Sequence, residues 1–137
     1  MLMTKAGLEA FLCAEFPQVA ADFVIDAVAD NSLTLRLIAA DKHLRPGGTV
    51  SGPAMFGLAD VAFYLAVLAM IGPQALAVTT NCSIDFLRKP AAGRDLLAHA
   101  RILKLGKRLA VGDVMLQSHG LEPLVARASL TYALPPA

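Results

Sequence analysis

The 137-residue chain has no tryptophan and only two tyrosines and six phenylalanines. That leaves little for stacking against nucleic-acid bases. Its net charge is +1 with no block of like charges, so the electrostatic footprint of a nucleic-acid partner is missing too. Two cysteines, Cys13 and Cys82, are too few for a disulfide framework and do not stand at metal-ligand spacing. Both are expected to be buried thiols in a reducing compartment. The N-terminal residues carry an early acid, Glu9, and no sustained apolar run, so no signal peptide is expected. Charged residues are scarce at 17%, against 56% hydrophobic. That balance predicts burial beyond one domain's own core, most simply in a homo-oligomer.

One stretch organises the rest. Gly47-Gly48-Thr49-Val50-Ser51-Gly52-Pro53 reads as a glycine-rich loop opening a long apolar helix over residues 54–71. Ser51 is suited to be its N-cap, Pro53 sits where a missing N–H does no harm, and Gly72-Pro73 ends it. Its length meets the roughly 18-residue threshold for a membrane span. Asp60 at its middle, no flanking basic cluster and strand-like patterns on both sides favour a soluble core helix instead. A carboxylate in such a helix is expensive unless it has a partner or a task.

Around this helix the period is mostly two. Leu8, Phe11, Leu12 and Phe16 mark a short helix with Thr4 as its cap and Pro17 as its stop. Phe23–Ala29 alternates with Phe23, Ile25, Ala27 and Ala29 on one side. After the Asp30-Asn31 turn, Leu33, Leu35, Leu37 and Ala39 alternate likewise, making a hairpin. Four more strands follow the long helix. The first places Val78, Thr80, Cys82, Ile84 and Phe86 on one face; the others run Leu96–Leu103, Leu109–Ser118 and Leu124–Tyr132. The pattern predicts one α+β domain over residues 1–137, with a helical segment at 1–20 and an antiparallel sheet curled around one helix.

These residues resemble the hotdog-fold acyl-CoA thioesterases, specifically the phenylacetyl-CoA thioesterase-like group. The likeness rests on the loop Gly47–Pro53 followed by Asp60, on Thr79-Thr80-Asn81 through Pro90, on Leu105–Val111, and on Val125–Tyr132. It departs from the group in the loop. Ser51 stands where that group has a histidine, Pro53 where it has a second glycine, and Arg45 where an asparagine is common. The resemblance implies a hotdog fold of about six strands wrapped around the central helix, and a cytoplasmic hydrolase acting on acyl- or aryl-CoA thioesters. Neither metal nor redox cofactor is implied, since the CoA moiety belongs to the substrate. The partners implied are that substrate and a second copy of the chain, as homodimer or homotetramer, with neither nucleic acid nor membrane. A ligand-binding hotdog module without turnover is the alternative.

In this resemblance Asp60 activates water or attacks the thioester carbonyl. Held among Phe56, Gly57, Phe63 and Tyr64, it has the poorly hydrated setting of a general base, and the competing reading is a structural carboxylate bonded to a loop. The Gly52 N–H, at a helix N-terminus, can hold the developing oxyanion, or Gly52 is only a helix-entry glycine. Ser51 is an auxiliary polar group, an N-cap, or both; no motif supplies a histidine that would make it a nucleophile. His43, His99 and His119 read as surface residues. Tyr64 orients the water or fills the core. Thr79, Thr80 and Asn81 line the acyl pocket or pair within the sheet. Lys104, Lys107 and Arg108 around Gly106, with Arg88, Lys89 and Arg94, meet CoA phosphates or are solvated turn residues. Ser51 and Asp60 stand about 13 Å apart along the helix, so one thioester carbon cannot touch both ends. Shared sites across a dimer follow.

Overall fold

The computed structural model describes residues 1–136. Helix α1 spans Lys5–Glu15, α2 Pro17–Ala20 and α3 Gly52–Ile71; the strands are β1 Phe23–Ala29, β2 Ser32–Leu37, β3 Val78–Phe86, β4 Leu96–Leu105, β5 Leu109–Ser118 and β6 Leu124–Ala133. All six strands pair antiparallel in the order β1-β2-β4-β5-β6-β3. The sheet curves around α3, which packs on β2 through β6. This is the hotdog architecture.

The long helix starts and stops where its end residues dictate. Ser51 Oγ accepts the Ala54 N–H at 3.2 Å, and Gly72 terminates the helix with φ +94°. Its last turn would leave carbonyls without partners. The N-terminal chain supplies some: the Leu2 and Met3 N–H groups both donate to Ala69 O, at 2.7 and 3.1 Å. Although α3 is apolar enough to cross a membrane by composition, it is the core of the domain, with Leu58, Phe63, Leu65 and Leu68 fully buried. Each such side chain contributes about 1.5–3 kcal/mol by leaving water. They meet Leu35, Leu96, Leu116 and Leu130 from four different strands. At Gly112 on β5 the strand backbone lies directly against the Phe63 ring of α3. A Cβ there would overlap Arg101 O and the Phe63 ring, so no other residue fits.

Strand β4 points inward as the alternation predicts, with Leu96, Ala98, Ala100 and Ile102 buried. In β1 and β3, bulges correct the reading. On β1 the register slips between Ile25 and Ala27, so Asp26 is an extra residue and pairs with Arg36 at 3.2 Å. Beyond it the phase reverses: Val28 turns inward and packs on the core, while Ala27 and Ala29 are exposed. On β3 the register slips between Thr79 and Asn81. Thr80 is the extra residue, and Thr79 rather than Val78 or Thr80 faces the helix. Strand β2 ends at Leu37, short of Ala39, and Pro17 opens α2 as well as following the end of α1.

Two expectations about burial are also overturned. Cys13 is exposed and Cys82 only half-buried. His43, read as a surface residue, is 9% exposed. It sits in a short 3-10 turn over Asp41–His43, where Nδ1 accepts the Ala40 N–H at 3.0 Å. A nitrogen that accepts carries no proton, so the neutral ring holds its proton on Nε2, 3.5 Å from Asp22 Oδ2. The His43 carbonyl in turn accepts the Ser51 N–H at 2.8 Å, fixing the residue that caps α3.

Candidate active site

Asp60 lies on the face of α3 that looks toward β3 and β6. Thr79 and Tyr132 are directly paired across those strands, and both donate to Asp60 Oδ1, from Thr79 Oγ1 at 2.7 Å and from the Tyr132 hydroxyl at 2.6 Å. The tyrosine hydroxyl also lies 3.2 Å from the Asp60 carbonyl oxygen. Tyr132 is 3% exposed. Burial, followed by the charge of Asp60 and its hydrogen bond, pushes the phenol far above its ordinary pKa. It therefore stays protonated and stays a donor.

The other oxygen of Asp60 is different. None of the hydrogen bonds among the described residues reaches Oδ2, and no buried side-chain oxygen among them lacks a partner. Oδ2 is consequently open to solvent, at the edge of a pocket of about 210 Å3 that Asp60, Tyr64, Thr79 and Tyr132 share. A carboxylate with one oxygen clamped by two donors and the other free is oriented for work on a small molecule. Burial also raises the Cys82 thiol, with the charge of Asp60 adding to it, so this neighbour on β3 remains a thiol.

Gly52 opens α3, eight residues before Asp60, which at the helical rise is about 12 Å away. The Phe86 ring covers it: a Cβ at Gly52 would meet Phe86 Cζ at 3.4 Å. A second pocket, of about 330 Å3, lies beside it and is lined by Gly52, Arg45, Arg88 and Lys89 among others. Ser51 is the helix cap, its Oγ committed to Ala54 N–H.

The remaining expected residues are dispersed. Tyr64 borders the Asp60 pocket, but its hydroxyl donates to Ala75 O at 3.2 Å, away from the carboxylate. Thr80 is exposed, with Oγ1 donating to Thr131 O, and Asn81 is exposed on the same edge strand. Lys104, Lys107 and Arg108 are exposed about the β4–β5 turn, which Gly106 N–H closes onto Leu109 O at 2.9 Å. Arg94 donates to His119 O, away from both pockets. His99 bridges Thr34 and Gln117 on the sheet.

Tyr132 was missed from the sequence, although a signal exists. It continues the inward phase of Ala128 and Leu130, and a tyrosine buried there needs a partner for its hydroxyl. Arg45 beside Gly52 was noted only as a departure from the family pattern.

Residues 47–131 match the family model described as the thioesterase superfamily. A Pseudomonas aeruginosa protein described as a putative esterase is 36% identical over 107 residues, 78% of each chain. Among solved structures, a putative thioesterase from Silicibacter sp. TM1040 superposes with a TM-score of 0.93 at 57% identity, covering 99% of this chain and 94% of its own. The PaaI protein of the E. coli phenylacetic acid degradation operon superposes with a TM-score of 0.82 at 25% identity, covering 100% and 98%. The chain belongs to the thioesterase superfamily and is a hotdog-fold hydrolase.

Proposed function

We propose that the protein hydrolyses acyl- or aryl-CoA thioesters, with Asp60 as the general base. The observation that carries this is the asymmetric carboxylate, with Oδ1 held by Thr79 and Tyr132 and Oδ2 free at a pocket. Oδ2 takes a proton from water as the water oxygen attacks the thioester carbonyl. The carbonyl electrons move onto oxygen, the C–S bond then breaks, and the proton passes from Asp60 to the leaving thiolate. The products are a carboxylic acid and CoA.

The oxyanion needs a donor that Asp60's own helix cannot bring, because its N-terminus is about 12 Å away. Gly52 N–H of a second copy fills that role in a dimer with two composite sites. Strand β3, an edge of the sheet with Val78 and Phe86 about half exposed, suits pairing with that copy. Arg45, Arg88 and Lys89 beside Gly52 suit the phosphates of the CoA tail. Lys104, Lys107 and Arg108 lie at the Asp60 end of the sheet, where Ala110 pairs with Tyr132, and add to that cationic rim.

Replacing Asp60 by Asn keeps the side chain's shape and removes the base. Release of free CoA from a panel of acyl and aryl esters is expected to fall at least about a hundredfold. Unchanged turnover overturns the reading. A wild-type protein that binds a CoA ester tightly yet frees no thiol over hours is a binding module instead.

A further inference from the structure

The N-terminal segment is built into the Asp60 pocket. Helix α1 docks through Leu8 and Leu12, which are 0% and 4% exposed, and Leu2 and Met3 tie the chain before it to the end of α3. The break between α1 and α2 falls at Phe16 because Pro17 follows, and a residue before proline is driven out of the helical region. Phe16 accordingly has φ −131° and ψ +57°. This kink turns Phe16 against the edge of Tyr64, with ring centroids 5.6 Å apart and planes at 88°. It also brings Val19 to the same place. Leu12, Phe16 and Val19 thus line the pocket together with Val61 and Tyr64 of α3 and with Asp60 and Thr79.

We propose that this pocket receives the acyl group of the thioester and that Phe16 and Val19 set the size it accepts. The inference rests on the thioesterase reading of Asp60 and adds to it a substrate class and two specificity-determining residues. Apart from the carboxylate and the hydroxyls of Thr79, Tyr64 and Tyr132 the lining is apolar, which suits a hydrocarbon and not a polar acyl chain. Its volume of about 210 Å3 sets the scale. An apolar cavity of about 150 Å3 holds one benzene molecule. On this chain the pocket therefore has space for a ring with one or two further carbons, or an aliphatic chain of similar bulk, and a long fatty acyl chain would run past it. Phe16 and Val19 line it from outside α3, so substitutions there change the lining without touching Asp60.

The test compares kcat/KM for acetyl-, hexanoyl-, phenylacetyl- and palmitoyl-CoA in wild type, Phe16→Ala and Val19→Trp. Ratios between esters on one preparation are independent of the fraction folded. Wild type is expected to favour hexanoyl- and phenylacetyl-CoA over palmitoyl-CoA by at least about tenfold. Phe16→Ala is expected to shrink that preference at least fivefold, and Val19→Trp to move it toward acetyl-CoA by about tenfold. Identical ratios in all three proteins, with wild type active, overturn the pocket assignment and leave the thioesterase reading standing. Wild type inactive on every ester defeats the catalytic reading instead. Calorimetric binding of the same four esters then decides the pocket: the same size order supports it, and a flat order overturns it.

Discussion

Tyr132→Phe is the sharpest test of how the site is built. The substitution removes one oxygen from a residue that is 3% exposed and leaves the ring, its packing against Phe63 and Tyr64, and the backbone in place. What is lost is one 2.6 Å bond to the carboxylate, while the Thr79 bond at 2.7 Å to the same oxygen remains. A hydrogen bond to a charged group is worth about 1.5–3 kcal/mol. If all of it serves to hold Oδ2 on the attacking water, the rate falls by about ten- to a hundredfold, at 1.4 kcal/mol per tenfold. The surviving Thr79 bond makes the lower end the expectation. Asp60→Asn, which removes the base itself, costs more. Stability should fall by no more than about 1.5–3 kcal/mol, because no cavity opens and Oδ1 keeps one donor. Release of free thiol gives kcat and KM, and urea unfolding gives the stability. Thr79→Ala in the same assays, with the double variant, completes a cycle. Two donors sharing one oxygen should couple, so the double loss should differ from the sum of the single losses. A Tyr132→Phe enzyme within twofold of wild type in kcat, equally stable or not, refutes the role of the clamp.

Two further outcomes follow from the loop and the helix. At Asp22, burial pushes the carboxyl up, but hydrogen bonds from Lys42 (2.6 Å) and His43, with the charge of Lys42, outweigh it and hold the carboxyl below its ordinary 3.8. A value depressed in the folded state means stability that is present above about pH 4 and lost as pH falls through the folded value. The melting temperature of wild type should therefore drop more steeply on acidification below pH 4 than that of Asp22→Asn; coincident acid limbs count against the assignment. The composite site makes its own forecast. Gly52→Pro removes the N–H at a helix position where proline is tolerated. Mixed with Asp60→Asn under subunit exchange, half the dimers become mixed, and each has one intact site, so about a quarter of wild-type activity should return. A mixture no more active than its parents places both groups in one protomer.

Much of this was legible in the chain. The long helix, its cap at Ser51 and its end at Gly72 follow from local rules, as does the inward face of β4. Asp60 stood out as the only charge in an apolar helix. What could not be read were phase and partnership. A bulge adds one residue without any mark in composition, so β1 beyond Asp26 and β3 before Asn81 were read on the wrong face. Thr79 was therefore expected at an acyl group or in the sheet rather than on the carboxylate. Tyr132 lies far along the chain from Asp60, and only strand pairing brings it there. His43, in a polar loop, looked solvated because the Asp22 that receives it belongs to a different segment.

The extra residue at Thr80 makes the register of β3 part of the site. Substitutions along β3 alter one side chain at a time, and most leave the rest of the strand facing as before. Strict pairing with β6 at the same length would set Thr80 opposite Tyr132 and turn Thr79 over, taking its hydroxyl off Asp60 while Tyr132 stayed in place. The strand is thus more tolerant of a changed side chain than of a shifted register. That intolerance is greatest one residue away from the hydroxyl on which the carboxylate depends.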